Sequence, residues 1–189
     1  MKEKSVYVVH GYTASSTAEW FPWLKNKLSE ANVSTTVFDM PNSNEPIPSE
    51  WDAYLDKNIT KYDDNTFFVG HSLGCIALLR YLENQSINQK IGGMILVSGF
   101  LESVSTLPML DSFTKKALDI TRITNRIKKC IVISSPNDPI VNYQYSCELA
   151  KQLNAKLITV ENGGHFIKQG GFSEFPLVFD EIFKMINED

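Results

Sequence analysis

A serine between two glycines follows a short apolar segment in the first half of the chain. Residues 67–69, all apolar, lead directly into Gly70-His71-Ser72-Leu73-Gly74. A serine hydroxyl is a poor nucleophile unless an adjacent base takes its proton. By chance alone, the pattern Gly-x-Ser-x-Gly should occur in roughly 5–6% of chains of this length, given average amino-acid usage. The pentapeptide therefore indicates nucleophilic catalysis only if the rest of the chain supplies a base and a suitable fold.

Two further residues could complete such a site. Asp138 and His165 each follow a strand-like apolar segment, at residues 130–134 and 156–160. A neutral imidazole that accepts a proton needs a carboxylate to fix its tautomer and to stabilise the imidazolium. The chain order serine, aspartate, histidine is that of α/β-hydrolases. We therefore predict Ser72 as the nucleophile, His165 as the general base and Asp138 as the acid that orients it.

Other residues of the same types fit these roles less well. His10 lies beside a strand and precedes a tight glycine turn, and His71 lies in the serine turn itself, pointing away from the hydroxyl. Both are interpreted as buried structural histidines. Asp39 follows the second predicted strand, on the far side of the sheet from the expected base. Glu161 is too close to His165 along the chain to orient it easily.

The turn around Ser72 requires a particular structural context, which the hydrophobic pattern supplies. The predicted strands are residues 5–9, 33–40, 66–69, 93–97, 130–134 and 156–160. The predicted helices are residues 20–31, 49–58 with Ser49 as the N-cap, 73–83, 110–118, 143–153 and 175–187. Because the strands show little polar alternation, we expect a parallel sheet covered by helices on both faces. Ligand sites in such sheets lie beyond the carboxyl ends of the strands, where all three candidate residues fall.

Length and composition favour a single α/β domain spanning residues 1–189. The chain is 43% hydrophobic and 21% charged, as is ordinary for a soluble globular protein. Its net charge of −4 and its lack of a basic run argue against nucleic acid or an anionic membrane as a partner. The first apolar run, ending at His10, is too short for a signal-peptide core or a membrane span. We therefore expect a cytoplasmic protein.

The three cysteines and three histidines indicate neither a disulfide framework nor a metal site. Cys75, Cys130 and Cys147 are odd in number and widely spaced, so they are interpreted as small buried hydrophobes. Cys75 lies one turn into a helix that should be buried, which makes it a poor alternative nucleophile. No two histidines lie at ligand spacing on one helix. We expect no metal and no cofactor.

An acyl-transfer site also needs two hydrogen-bond donors aimed at the oxyanion. The backbone N–H of Leu73, at the start of the helix after the nucleophile, is the expected first donor. The second should come from the loop after the first strand, where Tyr12 is our candidate. This loop departs from the His-Gly-Gly-Gly form of some lipases and esterases.

The cleft should be walled by apolar side chains from several loops. Residues 100–127 occupy the place of the cap found in larger hydrolases, and they carry Leu101, Leu107, Met109, Leu110 and Phe113. We expect some of these to form one wall and Tyr12, Trp51, Ile140 and Phe166 to form others. The predicted substrate contacts are Trp51, Met109, Ile140 and Phe166.

Seven short motifs, spread over nearly the whole chain, carry a resemblance to a known family. They are residues 8–12, 14–17, 20–24, 40–42, 70–75, 95–100 and 163–166. Together they resemble the small YdeN-like serine hydrolases of the α/β-hydrolase superfamily, a group that includes retinoblastoma-binding protein 9. The resemblance implies about six parallel strands in the order 2-1-3-4-5-6, helices on both faces and no large cap domain. It also implies that Ser72, Asp138 and His165 are the catalytic residues, but it supplies no substrate.

The favoured function is hydrolysis of a small carboxylic ester or thioester through an acyl-enzyme on Ser72. Two alternatives remain open. One is a protein-binding module on a hydrolase scaffold with vestigial activity. The other is amide or peptide hydrolysis, or acyl transfer, by the same three residues. Nothing in the sequence indicates a protein partner.

Overall fold

The computed structural model describes residues 3–86 and 89–188, and within these ranges six parallel strands form one sheet. The strand order is β2-β1-β3-β4-β5-β6, which confirms the order implied by the resemblance. The strands are β1 (Ser5–Val9), β2 (Ser34–Val37), β3 (Thr66–His71), β4 (Gly93–Val97), β5 (Cys130–Ser134) and β6 (Lys156–Thr159). The α-helices are α1 (Phe21–Glu30), α2 (Pro48–Asn58), α3 (Leu73–Asn84), α4 (Asp111–Thr114), α5 (Ile120–Thr124), α6 (Tyr143–Gln152) and α7 (Pro176–Asn187). None of the helices in these ranges has the length and apolarity to cross a membrane.

Helices cover both faces of the sheet, so the central strands are buried on both sides. Successive strand side chains point to opposite faces. In β1, Val6 and Val8 pack in the layer of α1 and α7, whereas Tyr7 and Val9 pack in the layer of α2, α3 and α6. This two-sided burial explains why the strand segments lack polar alternation. Helix α3 is the most deeply enclosed, and Cys75 lies within it with no solvent exposure.

Helix α2 begins one residue earlier than predicted. Its first residue is Pro48, its N-cap is Ile47, and no side chain caps its amino end, so the prediction of Ser49 as the N-cap is wrong. Proline suits the first helical position because it has no N–H to leave unpaired and its φ is already helical. The proline therefore defines the start of the helix.

The prediction of one helix over residues 110–118 is also wrong. A 3₁₀ turn at Pro108–Leu110 continues into α4, which ends at Thr114, and a separate helix, α5, begins at Ile120. Residues 115–118 are not helical, and α5 is capped by Asp119, whose carboxylate accepts the Arg122 N–H at 2.9 Å and whose own N–H donates to Glu83. This side-chain cap fixes the start of α5, which lies beyond the predicted helix.

Two histidines at the carboxyl ends of β1 and β3 are buried, as the sequence predicts. His10 Nε2 accepts the Met40 N–H at 3.0 Å, so its Nδ1 carries the proton and donates to the Gly11 carbonyl. His71 Nε2 donates to the His165 carbonyl at 2.8 Å. Burial lowers the pKa of both imidazoles, and together with the nearby charge of His165 it lowers the pKa of His71 to about 3. Both rings are therefore neutral near pH 7.

The buried state of His71 predicts an acid-dependent loss of stability. Below its ordinary value of 6.5, the unfolded chain binds a proton at His71, whereas the folded chain keeps the ring neutral down to about pH 3. Its contribution is therefore complete above pH 6.5 and falls as the pH is lowered through this window. Relative to His71→Gln, which keeps a donor for the His165 carbonyl but cannot titrate, the unfolding free energy should fall with a slope that approaches about 1.4 kcal/mol per pH unit below pH 6.5.

Urea unfolding of both proteins between about pH 7 and about pH 5 measures this difference. His10 and every carboxylate are present in both proteins, so their contributions cancel. If the unfolding free energies of wild type and His71→Gln showed the same dependence on pH, the prediction would be wrong.

Candidate active site

Ser72 occupies a sharp turn between β3 and α3. Its φ of 52° and ψ of −118° lie in a region that residues other than glycine rarely adopt. The Ser72 N–H donates to the Val97 carbonyl at 2.8 Å, which fixes the turn to the neighbouring strand. A Cβ at Gly74 would lie 2.2 Å from the Val9 carbonyl oxygen, and one at Gly70 would lie 3.0 Å from the Cys75 nitrogen. The turn therefore requires glycine at position 74, and it leaves little room for a side chain at position 70.

His165 and Asp138 form a buried hydrogen-bonded pair at the same edge of the sheet. His165 follows β6 and Asp138 follows β5, and Nδ1 lies 2.8 Å from Oδ2 and 3.1 Å from Oδ1. The other partners of Oδ1 are the backbone N–H groups of Ile140 and Val141, at 2.9 and 3.0 Å. Because a carboxylate only accepts, Nδ1 of His165 carries the proton and Nε2 holds the free lone pair.

Ser98 completes the surroundings of Asp138, and sequence reasoning assigned it no role. Its hydroxyl donates to Asp138 Oδ2 at 2.8 Å, and its φ is 50°. Burial alone would raise the pKa of Asp138, but the hydrogen bonds from His165, from Ile140 and from Ser98 hold it below its usual range. Its position in the sequence could have indicated this role. Ser98 directly follows β4, and β4 lies between β3, which ends at the Ser72 turn, and β5, which precedes Asp138.

Side chains from several elements hold the backbone on either side of His165. We call residues 163–168 the histidine loop. Its hydrogen bonds to side chains are Gly163 N–H to Ser135 Oγ (2.9 Å), Gly164 N–H to Asn137 Oδ1 (2.8 Å), His71 Nε2 to the His165 carbonyl (2.8 Å), Trp20 Nε1 to the Phe166 carbonyl (3.0 Å), and Lys168 N–H to the Glu19 carboxylate. The loop is therefore positioned by groups that lie before β6 in the chain.

His71 is the member of this set nearest to the reactive groups. Its ring centroid lies 4.9 Å from that of His165. A positively charged neighbour at this distance would oppose protonation of His165. Because the His71 ring is neutral near pH 7, it can hold the His165 carbonyl without adding a positive charge.

Ser72 and His165 both line a cavity of about 260 Å³. Within residues 3–86 and 89–188, neither Ser72 Oγ nor His165 Nε2 makes a hydrogen bond, and the backbone N–H groups of Tyr12 and Leu73 also donate none. Hydrogen bonds between a nucleophile and its base often close only when substrate is bound. The serine, the imidazole and two free donors thus lie at one edge of the sheet.

Of the four predicted substrate contacts, Ile140 lines this cavity and the other three do not. Trp51 is fully buried against His10 and Phe113, with its indole N–H on the Pro41 carbonyl. Phe166 is fully buried and stacks on Phe175, and Met109 is 54% exposed outside the cavity. The predictions for Trp51, Phe166 and Met109 are therefore corrected. The backbone directs the side chains of Trp51 and Phe166 into the core. The cavity lining that the prediction omitted includes Ala14, Ala18, Glu19 and Ile167.

The alternative nucleophile and acids lie elsewhere. Burial raises the pKa of the Cys75 thiol, which donates to the Val97 carbonyl and therefore stays protonated. Asp39 accepts hydrogen bonds from the N–H and the hydroxyl of Ser16. Glu161 is exposed and does not line the cavity. A larger surface groove of about 600 Å³, lined in part by Leu101 and Tyr145, contains none of Ser72, Asp138 and His165.

Comparison with known proteins identifies the family of the chain. A family model described as serine hydrolase matches residues 6–184. YdeN of Bacillus subtilis (strain 168) is 44% identical over 177 residues, which cover 94% of this chain and 93% of YdeN. The serine hydrolase RBBP9 of Rattus norvegicus is 24% identical over 153 residues, or 80% of each chain.

Solved structures give the same result for the fold. The crystal structure of the ydeN gene product from B. subtilis matches with a TM-score of 0.96 and 42% identity, covering 98% of this chain and 100% of that one. Est1E from Butyrivibrio proteoclasticus, at 17% identity, shares the fold with a TM-score of 0.71 over 99% of this chain and 90% of Est1E. The predicted α/β-hydrolase fold is confirmed, and the chain belongs to the serine hydrolase family whose model spans residues 6–184.

Proposed function

We propose that this serine hydrolase cleaves a small carboxylic ester or thioester through an acyl-enzyme on Ser72. The observation that carries the proposal is the shared cavity, in which Ser72 lies with His165 while a buried carboxylate holds the far side of the imidazole. Such an arrangement serves nucleophilic catalysis, whereas a binding surface would have no use for it. No step of the proposed reaction requires a metal or a cofactor.

In the acylation step, Ser72 Oγ attacks the acyl carbon while His165 Nε2 takes its proton. Asp138 stabilises the imidazolium through the Nδ1 hydrogen bond. The carbonyl oxygen becomes an oxyanion, which the N–H groups of Tyr12 and Leu73 bind. The tetrahedral intermediate collapses when the bond to the leaving group breaks. His165 then returns the proton to the departing alcohol or thiol, leaving Ser72 acylated.

Deacylation repeats the same steps with water as the nucleophile. His165 removes a proton from water as its oxygen attacks the acyl carbon, and the oxyanion forms again at the two N–H groups. Collapse breaks the bond to Ser72 Oγ, which regains a proton from His165. The products are a carboxylic acid and free enzyme, so every proton and oxygen atom is accounted for.

The cavity favours a short acyl group. Its volume of about 260 Å³ is below the usual range for sites that enclose drug-sized ligands. Leu107, Ile140 and Ile167 supply apolar surface to it. A short aliphatic acyl chain would gain from burial against these residues.

Covalent labelling tests the role of Ser72 directly. A fluorophosphonate probe should label the wild-type protein, and Ser72→Ala should abolish labelling because the activated hydroxyl is gone. Turnover of a short-chain p-nitrophenyl ester should fall by on the order of 10⁴-fold or more in the same variant. Ser29→Ala, an exposed serine of α1, is the matched control and should be labelled like wild type.

A folded wild-type protein that resists labelling would overturn this proposal and favour a binding module on a hydrolase scaffold. Labelling without ester or thioester turnover would instead direct the search to amides and peptides. Product that requires an added alcohol or amine in place of water would indicate acyl transfer.

The hydrogen bond from Ser98 to Asp138 predicts a smaller effect on the same reaction. Ser98→Ala removes one donor from the carboxylate that stabilises the imidazolium, so kcat should fall about tenfold. KM should stay near the wild-type value because Ser98 does not line the cavity.

Ser134→Ala is the matched control for Ser98→Ala. Ser134 is a buried serine at the end of the next strand, and its hydroxyl has no partner in the described part of the chain. Steady-state kinetics of the two variants should differ in kcat alone. An unchanged kcat in Ser98→Ala would show that the bond to Asp138 does not assist the reaction.

A further inference from the structure

The cavity that contains Ser72 has one acidic side chain in its lining, that of Glu19. Among the described residues that line it, and with histidine counted as neutral, no other carries a formal charge at neutral pH. The remaining lining residues are small, apolar or neutral polar. Glu19 lies in the loop before α1 and is half-buried. Within residues 3–86 and 89–188, the cavity that contains Ser72 thus has a single carboxylate and no lysine or arginine in its walls.

The carboxylate of Glu19 is hydrogen-bonded to a neighbouring loop. It accepts the backbone N–H of Lys168, so it is bonded to the end of the histidine loop. The neighbouring residue, Trp20, donates to the Phe166 carbonyl of the same loop at 3.0 Å. These two bonds hold the segment against the loop that carries His165. A fixed charge acts on a bound substrate more effectively than one on a mobile side chain.

The backbone at Glu19 is strained. Its φ is 52°, a left-handed conformation that glycine or asparagine adopts at lower cost. Strained residues persist where the surrounding structure holds them, and they cluster at functional sites. The bond to Lys168 explains why an acceptor is useful here, but a neutral side chain would accept that N–H as well. The negative charge itself therefore needs a separate explanation.

We propose that Glu19 is a specificity-determining residue that selects substrates with a positive charge close to the scissile bond and disfavours anionic ones. The inference rests on the proposed esterase or thioesterase function and names its substrate class as cationic esters and thioesters. Within a cavity of this size, any bound charge lies close to the Glu19 carboxylate, and Coulomb attraction rises as the distance between charges falls. Attraction at such range changes kcat/KM by on the order of tenfold, and repulsion of an anion by a similar factor.

Glu19 could instead act on the imidazolium of His165, and the two roles differ in their effect on kinetics. A charge that stabilises the imidazolium accelerates every substrate alike, which would appear in kcat. A charge that selects the substrate changes the ratio between cationic and neutral substrates. The ratio between substrates of equal shape is therefore the decisive measurement.

Two pairs of substrates test this, and each pair consists of a cationic ester or thioester and a neutral one of the same shape. In one pair the positive charge lies in the leaving group, and in the other it lies in the acyl group. The leaving-group pair is butyrylthiocholine and its neutral isostere S-(3,3-dimethylbutyl) thiobutyrate. The acyl pair is the p-nitrophenyl ester of 4-(trimethylammonio)butanoic acid and that of 5,5-dimethylhexanoic acid. We expect wild type to prefer the cationic member of at least one pair by about tenfold in kcat/KM.

Glu19→Gln should bring the preferred pair to nearly equal kcat/KM, because the amide keeps an acceptor for the Lys168 N–H but has no charge. Glu45→Gln is the control, since it makes the same change in net charge at an exposed glutamate outside the cavity. It should keep the wild-type ratio. A wild-type ratio near one in both pairs would overturn the inference even if a variant failed to fold. So would a ratio that Glu19→Gln leaves unchanged.

The outcomes separate this inference from the proposed function. Hydrolysis of the neutral substrates by wild type with no charge preference would leave the esterase function standing and remove the role of Glu19. Failure to hydrolyse any of the four substrates, together with failure of fluorophosphonate labelling, would remove the function and the inference with it.

Discussion

The buried carboxylate of Asp138 is the group on which the geometry of the site depends. Burying a charge is costly unless every lone pair finds a donor. Here the donors come from separate segments: the His165 imidazole after β6, the Ser98 hydroxyl after β4, and two N–H groups of its own loop. Satisfying this one group therefore ties the carboxyl ends of three strands together. This requirement orients the imidazole of His165, which lines the same cavity as Ser72.

Hydrogen bonds to the backbone of the histidine loop hold the other side of the imidazole site. The histidine loop has little regular structure of its own, yet side chains from β3, from the loop before α1 and from the loop after β5 bind its backbone. Hydrogen bonds from surrounding elements therefore do for this loop what regular structure would otherwise do, and they hold the imidazole in position. The neutral state of His71 is part of this arrangement, because it allows a second histidine to lie beside the base without repelling its proton.

Most of the sheet could be predicted from the sequence, because a buried parallel strand leaves a recognisable apolar run. The bounds of β1, β4 and β5 agree with prediction, and the candidate residues fall after strands as expected. The cavity walls could not be predicted in the same way. Whether Trp51 or Phe166 faces a cleft or the core depends on the path of the loop before it, which residue spacing does not determine. The roles of Ser98 and Glu19 likewise depend on contacts between distant segments.

Left-handed backbone conformations are distributed unevenly over the described residues. Apart from glycines, they occur at Asn32, Asn42, Asn154, Asn162, Thr13, Glu19, Ser72, Ser98 and Phe166. Asparagine adopts this conformation cheaply, whereas each of the other five residues carries strain of about 1–3 kcal/mol and lies in or beside the site. Selection for heat resistance would therefore conflict with the proposed reaction at Ser72, Ser98 and Glu19, where glycine would relieve the backbone strain but remove the side chain that the site uses.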